Sequence, residues 1–428
     1  MRRRFLKISG SLLGGGYVLT LNSLVSAMLG FAFWLVAAHR FTPIAVGFAA
    51  AAVAGAAVVG GIAADGLHNA FLRFLPRSGQ TWGAVVVRGY ATAAVASLVL
   101  AALFIVIVGR FDASLGRLGS PSWALLYVAG APIWTIFSLQ DVVLIARRRP
   151  DIVLLENTAV SLVRIGLLFS SFVGTGAFGI FLAWLLPTIP AALIVNAALA
   201  RKARRAQASG SLLRAGVDGH EMARYYLMAT VGSVAGVLMM SLMPVIVAGV
   251  SGVAANARFY LPWAIAASLQ LLSSSMAAPL AAEIARGLAD ERRATRRVLR
   301  HCVAGVALIA VPLYFVIPAI LGRLGPGYRV DRALFALLLG ATLVNAIASV
   351  YLARARARGD VKGAALAQWS AAVILVGGSA ALLPAAGLMG VGFAAVAAQC
   401  VATAVAISRD DRLLDEDSTS PDPASIPS

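Results

Sequence analysis

The chain has 428 residues, 60% of them hydrophobic and only 13% charged, with a mean hydropathy of +0.86. That balance excludes a water-soluble globular protein of this length. The formal charge of +18 would suggest nucleic acid in a soluble chain. Here the cations flank apolar stretches and no basic patch is interleaved with exposed aromatics, so topogenic charge and contact with anionic lipid headgroups account for it, and no nucleic-acid partner is expected.

Twelve stretches of about 20 apolar residues or more are long enough to cross a hydrocarbon core of roughly 30 Å. They run 14–38, 44–64, 82–108, 122–146, 152–173, 178–200, 225–250, 256–282, 301–322, 333–353, 363–385 and 387–407. Helix is the expected state, because an open strand leaves its backbone unpaired in lipid. At the N-terminus, Arg2-Arg3-Arg4-Phe5-Leu6-Lys7 resembles a twin-arginine export signal and Val25-Ser26-Ala27 a cleavage site. The apolar run continues to Ala38, longer than a signal-peptide core, so an uncleaved first span is expected. Beyond Ser408 the chain is acidic and rich in Ser and Pro, and residues 408–428 are predicted to be a disordered tail.

Alternate connections sort the basic residues sharply. Of the 36 Lys and Arg residues, 28 fall on one set: the N-terminus, 73–88, 147–149, 201–224, 286–300, 354–362 and the tail. Seven fall on the other set, at Arg40, Arg110, Arg117, Arg258, Arg323, Arg329 and Arg332. Positive charge is retained inside, so both termini are predicted to be cytoplasmic, in a bacterial inner membrane. The longest inner connection, 201–224, divides the spans six and six. The chain therefore reads as an N-terminal lobe (1–200), a basic linker (201–224) and a C-terminal lobe (225–407). Six is even, so both lobes cross with the same orientation, as parallel repeats do. A weak echo supports this: Phe41-Thr42-Pro43-Ile44-Ala45-Val46-Gly47-Phe48 opens the second span, and Gly252-Val253-Ala254-Ala255-Asn256-Ala257-Arg258-Phe259-Tyr260 the eighth. Two lobes around a cavity suit a transporter better than a receptor or scaffold.

Ionisable groups at mid-depth are expensive and mark function first. Arg164 lies about 12 residues into the fifth span, roughly 18 Å deep at 1.5 Å per residue. Two readings stand: Arg164 faces a watery cavity and meets an anion, or it is satisfied by an ion pair or carbonyl, with Asp141 the nearest acid in depth. Asp65, Asp141, Asp151, Glu156 and Glu283 all fall near the inner ends of spans, and His39, His68, His220 and His301 in loops or at span ends. A relay of titrating side chains at mid-depth, or a carboxylate for an organic cation, is therefore not expected. Arg88, Arg73 and Arg77 form a series with Arg164 that an anionic, diphosphate-bearing substrate would meet on entry, since a guanidinium fork matches phosphate. Each of the three equally suits a purely topogenic role. The amides Asn22, Asn157, Gln140, Gln270 and Asn345 are candidates for contact with sugar hydroxyls, or for interhelical hydrogen bonds. Cys302 and Cys400 suggest neither a disulfide framework nor a metal site, and no cofactor is implied.

Several segments together resemble a polysaccharide flippase of the multidrug/oligosaccharidyl-lipid/polysaccharide (MOP) exporter superfamily. They are Ala37-Ala38-His39-Arg40-Phe41-Thr42-Pro43 with Gly47, Gly66-Leu67-His68-Asn69-Ala70-Phe71-Leu72-Arg73-Phe74, and Phe259-Tyr260 leading to Pro279-Leu280 and Glu283. Leu321-Gly322 with Gly327-Tyr328, and Arg356-Ala357-Arg358-Gly359-Asp360, complete the set. The resemblance implies an all-α protein of twelve transmembrane helices in two six-helix lobes arranged as a V, alternating access, and a lipid-linked oligosaccharide as substrate. It also implies cations in the N-terminal lobe's cavity, a role open to Arg164, and makes a polysaccharide polymerase or glycosyltransferases candidate partners. A MATE-like or other small-molecule exporter is the alternative. An enzyme of lipid-linked sugars is not expected: the first outer loop, His39-Arg40-Phe41-Thr42-Pro43, has no carboxylate, and no catalytic or metal-ligand cluster is apparent.

Overall fold

The computed structural model describes residues 12–111, 115–171, 174–208, 219–285 and 291–419. Arg2, Arg3, Arg4 and Lys7, parts of the two longer basic connections, and the last nine residues lie outside the described residues. Everything described is helix or short connection. In chain order the helices are α1 (Leu12–Arg40), α2 (Pro43–Phe74), α3 (Trp82–Phe111), α4 (Pro121–Ala146), α5 (Pro150–Leu167), α6 (Ala177–Leu185) and α7 (Thr188–Ala208). Then follow α8 (Gly219–Ser241), α9 (Met243–Ser251), α10 (Val253–Ala285), α11 (Glu291–Gly322), α12 (Arg332–Ala357), α13 (Val361–Ala386) and α14 (Leu388–Thr419).

Among the described residues, ten stretches are long and apolar enough to cross a membrane. Helices also stand at the two other predicted places, α5 covering 152–167 of the span predicted to 173 and α10 covering 256–282, but neither is among the ten. The cause is visible in α5, which carries Asp151, Glu156 and Arg164 within 18 residues. The predicted span 178–200 breaks between α6 and α7, where Pro187 supplies no amide hydrogen. The span predicted over 225–250 breaks at Leu242, just before Pro244. At the C-terminus α14 runs on to Thr419, where the composition had suggested a tail from 408. Leu413, Leu414 and Glu416 are good helix formers, and Pro421 follows close behind the helix end.

Packing divides the chain into two compact units, Met1–Leu261 and Pro262–Ser428. The axis of the first is α2, whose buried residues are mostly small, among them Ala49, Ala50, Ala52, Ala54, Ala56, Gly60, Ala63 and Ala64. Small residues let backbones approach where no hydrophobic effect drives helices together. α3, α4, α6, α8 and α9 all pack on it. α8, which the sequence places in the second half, joins the first unit because Gly66 leaves room. A Cβ there would stand 2.0 Å from the Thr230 hydroxyl and 2.6 Å from the Tyr226 carbonyl. α5 instead packs along α1.

The second unit is built from the rest of α10 and α11 to α14, with a core of Ala277, Leu280, Cys302, Val306, Ala346 and Val350. Glu291 at the start of α11 accepts from Arg354 Nε at 3.1 Å and from Arg358 Nη2 at 2.6 Å, joining α11 to the end of α12. Asp360 caps α13 through the Gly363 amide at 2.8 Å. Large apolar side chains point outward in both units, among them Leu24, Met28, Val99, Leu103, Leu308 and Phe315. This is the inside-out economy of helices bathed in lipid.

Candidate functional site

α5 starts with Pro150 at its first turn and Asp151 behind it, and Arg149 donates to that carboxylate through Nε at 3.0 Å and Nη2 at 2.9 Å. From there one face of α5 presents Asn157, Ser161 and Arg164, at spacings of four and three. The face opens on a cleft of about 60 Å³ lined by Leu29, Gly30, Phe33 and Trp34 of α1, Ser161 and Arg164 of α5, and Trp184 of α6.

Arg164 is held by the break after α6. Its Nε donates to the Trp184 carbonyl at 2.7 Å, in the last turn of α6, where carbonyls lack intrahelical partners and the helix dipole favours a cation. The guanidinium carbon lies 5.2 Å from the Trp184 ring centre and 5.5 Å from that of Trp134. Those two rings pack against each other at 4.5 Å. So Arg164 does not reach Asp141. The carbonyl reading holds for one donor, but Nη2, closed off from solvent, has no partner at all. One nitrogen of the fork is anchored and another is free.

Below the cleft, α4 and α5 join a polar cluster. Gln140 Nε2 donates to Glu156 Oε1, and Asn157 Nδ2 donates to Asp141 Oδ2 at 2.9 Å. Asn157 Nδ2 also reaches Asn22 Oδ1 at 3.4 Å, and Asn196 Nδ2 of α7 donates to Gln140 Oε1 at 2.7 Å. Gln140 is fully buried and Glu156 is 8% exposed. Asp141 Oδ1, Glu156 Oε2 and the Tyr90 hydroxyl of α3 are buried with no partner. No basic side chain bonds to either carboxylate among the described residues. By position along their helices both acids sit toward one end, as the sequence indicates. What the sequence does not show is that they are brought together, buried and without a counter-charge.

The other candidates disperse. Arg73, Arg77 and Arg88 are exposed, and none lines the cleft. Arg73 pairs with Glu221 at 3.6 Å and lies over the Tyr225 ring at 4.7 Å, so contact with α8 takes up its charge. Gln270 and Asn345 belong to the second unit. There Asn345 donates to the buried Gln399 at 3.2 Å and accepts from Ser349 at 3.4 Å, as interhelical amides do. Glu156, Asp141, Asn196, Trp134 and Trp184 were not among the predicted site residues. Among the described residues no group of three or more His, Cys, Asp or Glu is placed to hold a metal.

No protein-family model and no curated protein matches the sequence. Solved structures do match over nearly the whole chain. An inward-facing multidrug resistance MATE family transporter of the MOP superfamily aligns with TM-score 0.64 at 15% identity, covering 95% of this chain and 100% of that one. The lipid II flippase MurJ, in an inward closed conformation, aligns with TM-score 0.62 at 12% identity, covering 92% and 87%. A eukaryotic MATE transporter aligns with TM-score 0.58 at 13% identity, covering 95% and 96%. The chain shares its fold with these solved transporters. These neighbours are transporters and a flippase, not enzymes, and with ten apolar helices the chain is a multi-pass membrane protein.

Proposed function

We infer that the protein is a flippase that moves a polyprenyl-diphosphate-linked oligosaccharide from the inner to the outer leaflet of a bacterial cytoplasmic membrane by alternating access, for cell-surface polysaccharide synthesis. The observation that supports this is the Nη2 of Arg164, partnerless beside a cleft floored by aromatic rings. At about 60 Å³ the cleft has room for a phosphoryl group. The glycan extends past it, and the polyprenyl tail stays in the bilayer. No covalent chemistry is required. Nε and the two tryptophans fix the guanidinium, and the remaining donors bind the anion in a medium that strengthens such contacts. The substrate would come from glycosyltransferases at the inner face and pass to a polysaccharide polymerase outside.

The test is made on cells lacking the protein, by quantifying polyprenyl-diphosphate oligosaccharides in lipid extracts together with surface glycan. The reading predicts accumulation of a completed lipid-linked unit and loss of surface glycan, both reversed by the wild-type gene but not by Arg164→Ala. Unchanged lipid intermediates would sink it.

A second reading is a MATE-like exporter of small organic cations, and the polar cluster favours it. Two buried carboxylates without a counter-charge, Asp141 and Glu156, supply what such a substrate or a coupling cation needs. Altered tolerance to small toxic cations in the same deletion strain, with normal lipid intermediates, would support it.

A further inference from the structure

Trp34 has two faces of contact. On one side it lines the Arg164 cleft. On the other its ring meets that of Tyr260, near the start of α10, edge to face at 4.6 Å. One turn back along α10, Asn256 is fully buried and its Nδ2 donates to the Gly47 carbonyl of α2 at 2.8 Å. Another turn back, the Val253 carbonyl lies so close to Gly47 that a Cβ there would stand 1.7 Å from it. Val253, Asn256 and Tyr260 share one face of α10, and that face touches both the cleft wall and the start of α2.

Two further features bound this segment at its N-terminal end. It follows Gly252, at φ +86°, where a side chain would be strained. Before it, α9 is only nine residues long and is bounded by the break at Leu242. The segment is also one half of the sequence echo: residues 252–260 meet residues 41–48, their counterpart at the start of the second span.

We propose that Trp34, Tyr260 and Asn256 form a coupling device, through which occupancy of the Arg164 cleft is transmitted to the joint between α2 and the head of α10. An anion on the free nitrogen of Arg164 repositions Trp34. The ring contact between Trp34 and Tyr260 is broken, and the head of α10 loosens from Gly47. Trp34, Tyr260 and Asn256 are positioning residues, acting on substrate movement through the joint. The proposal rests on the cleft being the ligand site, and linkage makes the coupling reciprocal: loosening the joint must be felt at the cleft.

Amide hydrogen exchange on the full-length protein in lipid nanodiscs tests both directions. With geranylgeranyl diphosphate as probe, exchange over residues 253–261 should quicken about tenfold in wild type. In Tyr260→Ala, which removes the ring that meets Trp34, it should not respond to the probe. If the probe protects residues 161–164 while 253–261 is unmoved, the coupling is refuted and the ligand site stands. If it binds neither wild type nor Arg164→Leu, the ligand site falls, and the ligand-free arm decides the rest. There Asn256→Ala, which removes the tie without a steric insult, should quicken exchange both at 253–261 and at 29–34. Gly47→Ala should do the same more strongly if it folds. A response confined to 253–261 would overturn the device, whatever the substrate.

Discussion

Replacing Arg164 by leucine separates a functional cation from a structural one. The substitution removes a charge-assisted bond from Nε to the Trp184 carbonyl, worth about 1.5–3 kcal/mol. It also removes two cation–π contacts at 5.2 and 5.5 Å, each about 0.5–1 kcal/mol. Against this, an arginine in a span costs about 2.5–3.5 kcal/mol, and a sealed, partnerless donor adds about 1–3. The loss is about 2.5–5 kcal/mol and the relief about 3.5–6.5 kcal/mol. Stability should therefore fall by no more than about 2 kcal/mol, or rise by up to about 4. Anion binding has no such compensation. Losing a charged donor from a dry cleft costs at least about 2 kcal/mol, or roughly thirtyfold in affinity. The assay pairs thermal unfolding in nanodiscs with titration of geranylgeranyl diphosphate. A stability loss above about 4 kcal/mol with unchanged affinity would show that Arg164 is structural and refute the reasoning. Arg164→Lys keeps the charge but not the fork, and should fall between the two.

Two further predictions concern the turn between α4 and α5. Arg148 sits at φ 56°, the only non-glycine described in that region, at the end of α4 where the Arg149 amide bonds back to Leu144 at 2.8 Å. Glycine is the residue that position favours. Arg148→Gly should therefore stabilise the protein by about 1 kcal/mol in thermal unfolding. Destabilisation would mean that the side chain has a role the geometry does not show. Asp151 has its carboxyl held below the ordinary value of 3.8, first by the hydrogen bond from Arg149. A carboxyl with a lowered folded pKa stabilises above its unfolded pKa and loses that contribution as pH falls through the folded one. The stability gap between wild type and Asp151→Asn should therefore be small but constant near neutrality and close below about pH 3.8. A gap that widens on acidification would contradict the assigned pairing.

Most of the helical layout is legible because the apolar runs are long and the charge partition checks their count. The breaks after α6 and α8 are not, since proline inside an apolar run is common in membrane helices and leaves hydropathy unchanged. That blind spot hides the most useful detail of the site: the Trp184 carbonyl becomes available to Arg164 only because α6 stops. The cluster was half legible. Gln140, Asn157 and Asn22 stand out as polar residues in spans. Two adjacent pairs, Gln140-Asp141 and Glu156-Asn157, flank a tight turn at equal distance. Across the turn the bonds join 140 to 156 and 141 to 157, both at a separation of 16. Treating Asp141 and Glu156 singly, as acids near span ends, conceals the pair.

α5 carries both signs of the functional question. Glu156 and Arg164 are eight residues apart, about 12 Å along the helix, so an anionic and a cationic ligand would engage opposite ends of one element. The two functional readings therefore predict opposite results from two nearly isosteric changes. For a lipid-diphosphate substrate, Arg164→Leu abolishes movement of the lipid-linked unit. Glu156→Gln, which keeps a bonding partner for Gln140, then leaves the affinity for geranylgeranyl diphosphate intact, and alters turnover only if the carboxylate carries a coupling cation. For a cationic substrate, Glu156→Gln abolishes binding of an organic cation such as ethidium, while Arg164→Leu leaves it unchanged or tighter, because a repelling charge is gone. Fluorescence titration of both ligands against both variants gives four numbers. Only the pattern in which diphosphate affinity follows Arg164 and ignores Glu156 is compatible with a flippase. The reverse pattern would assign the protein to the exporters of small cations.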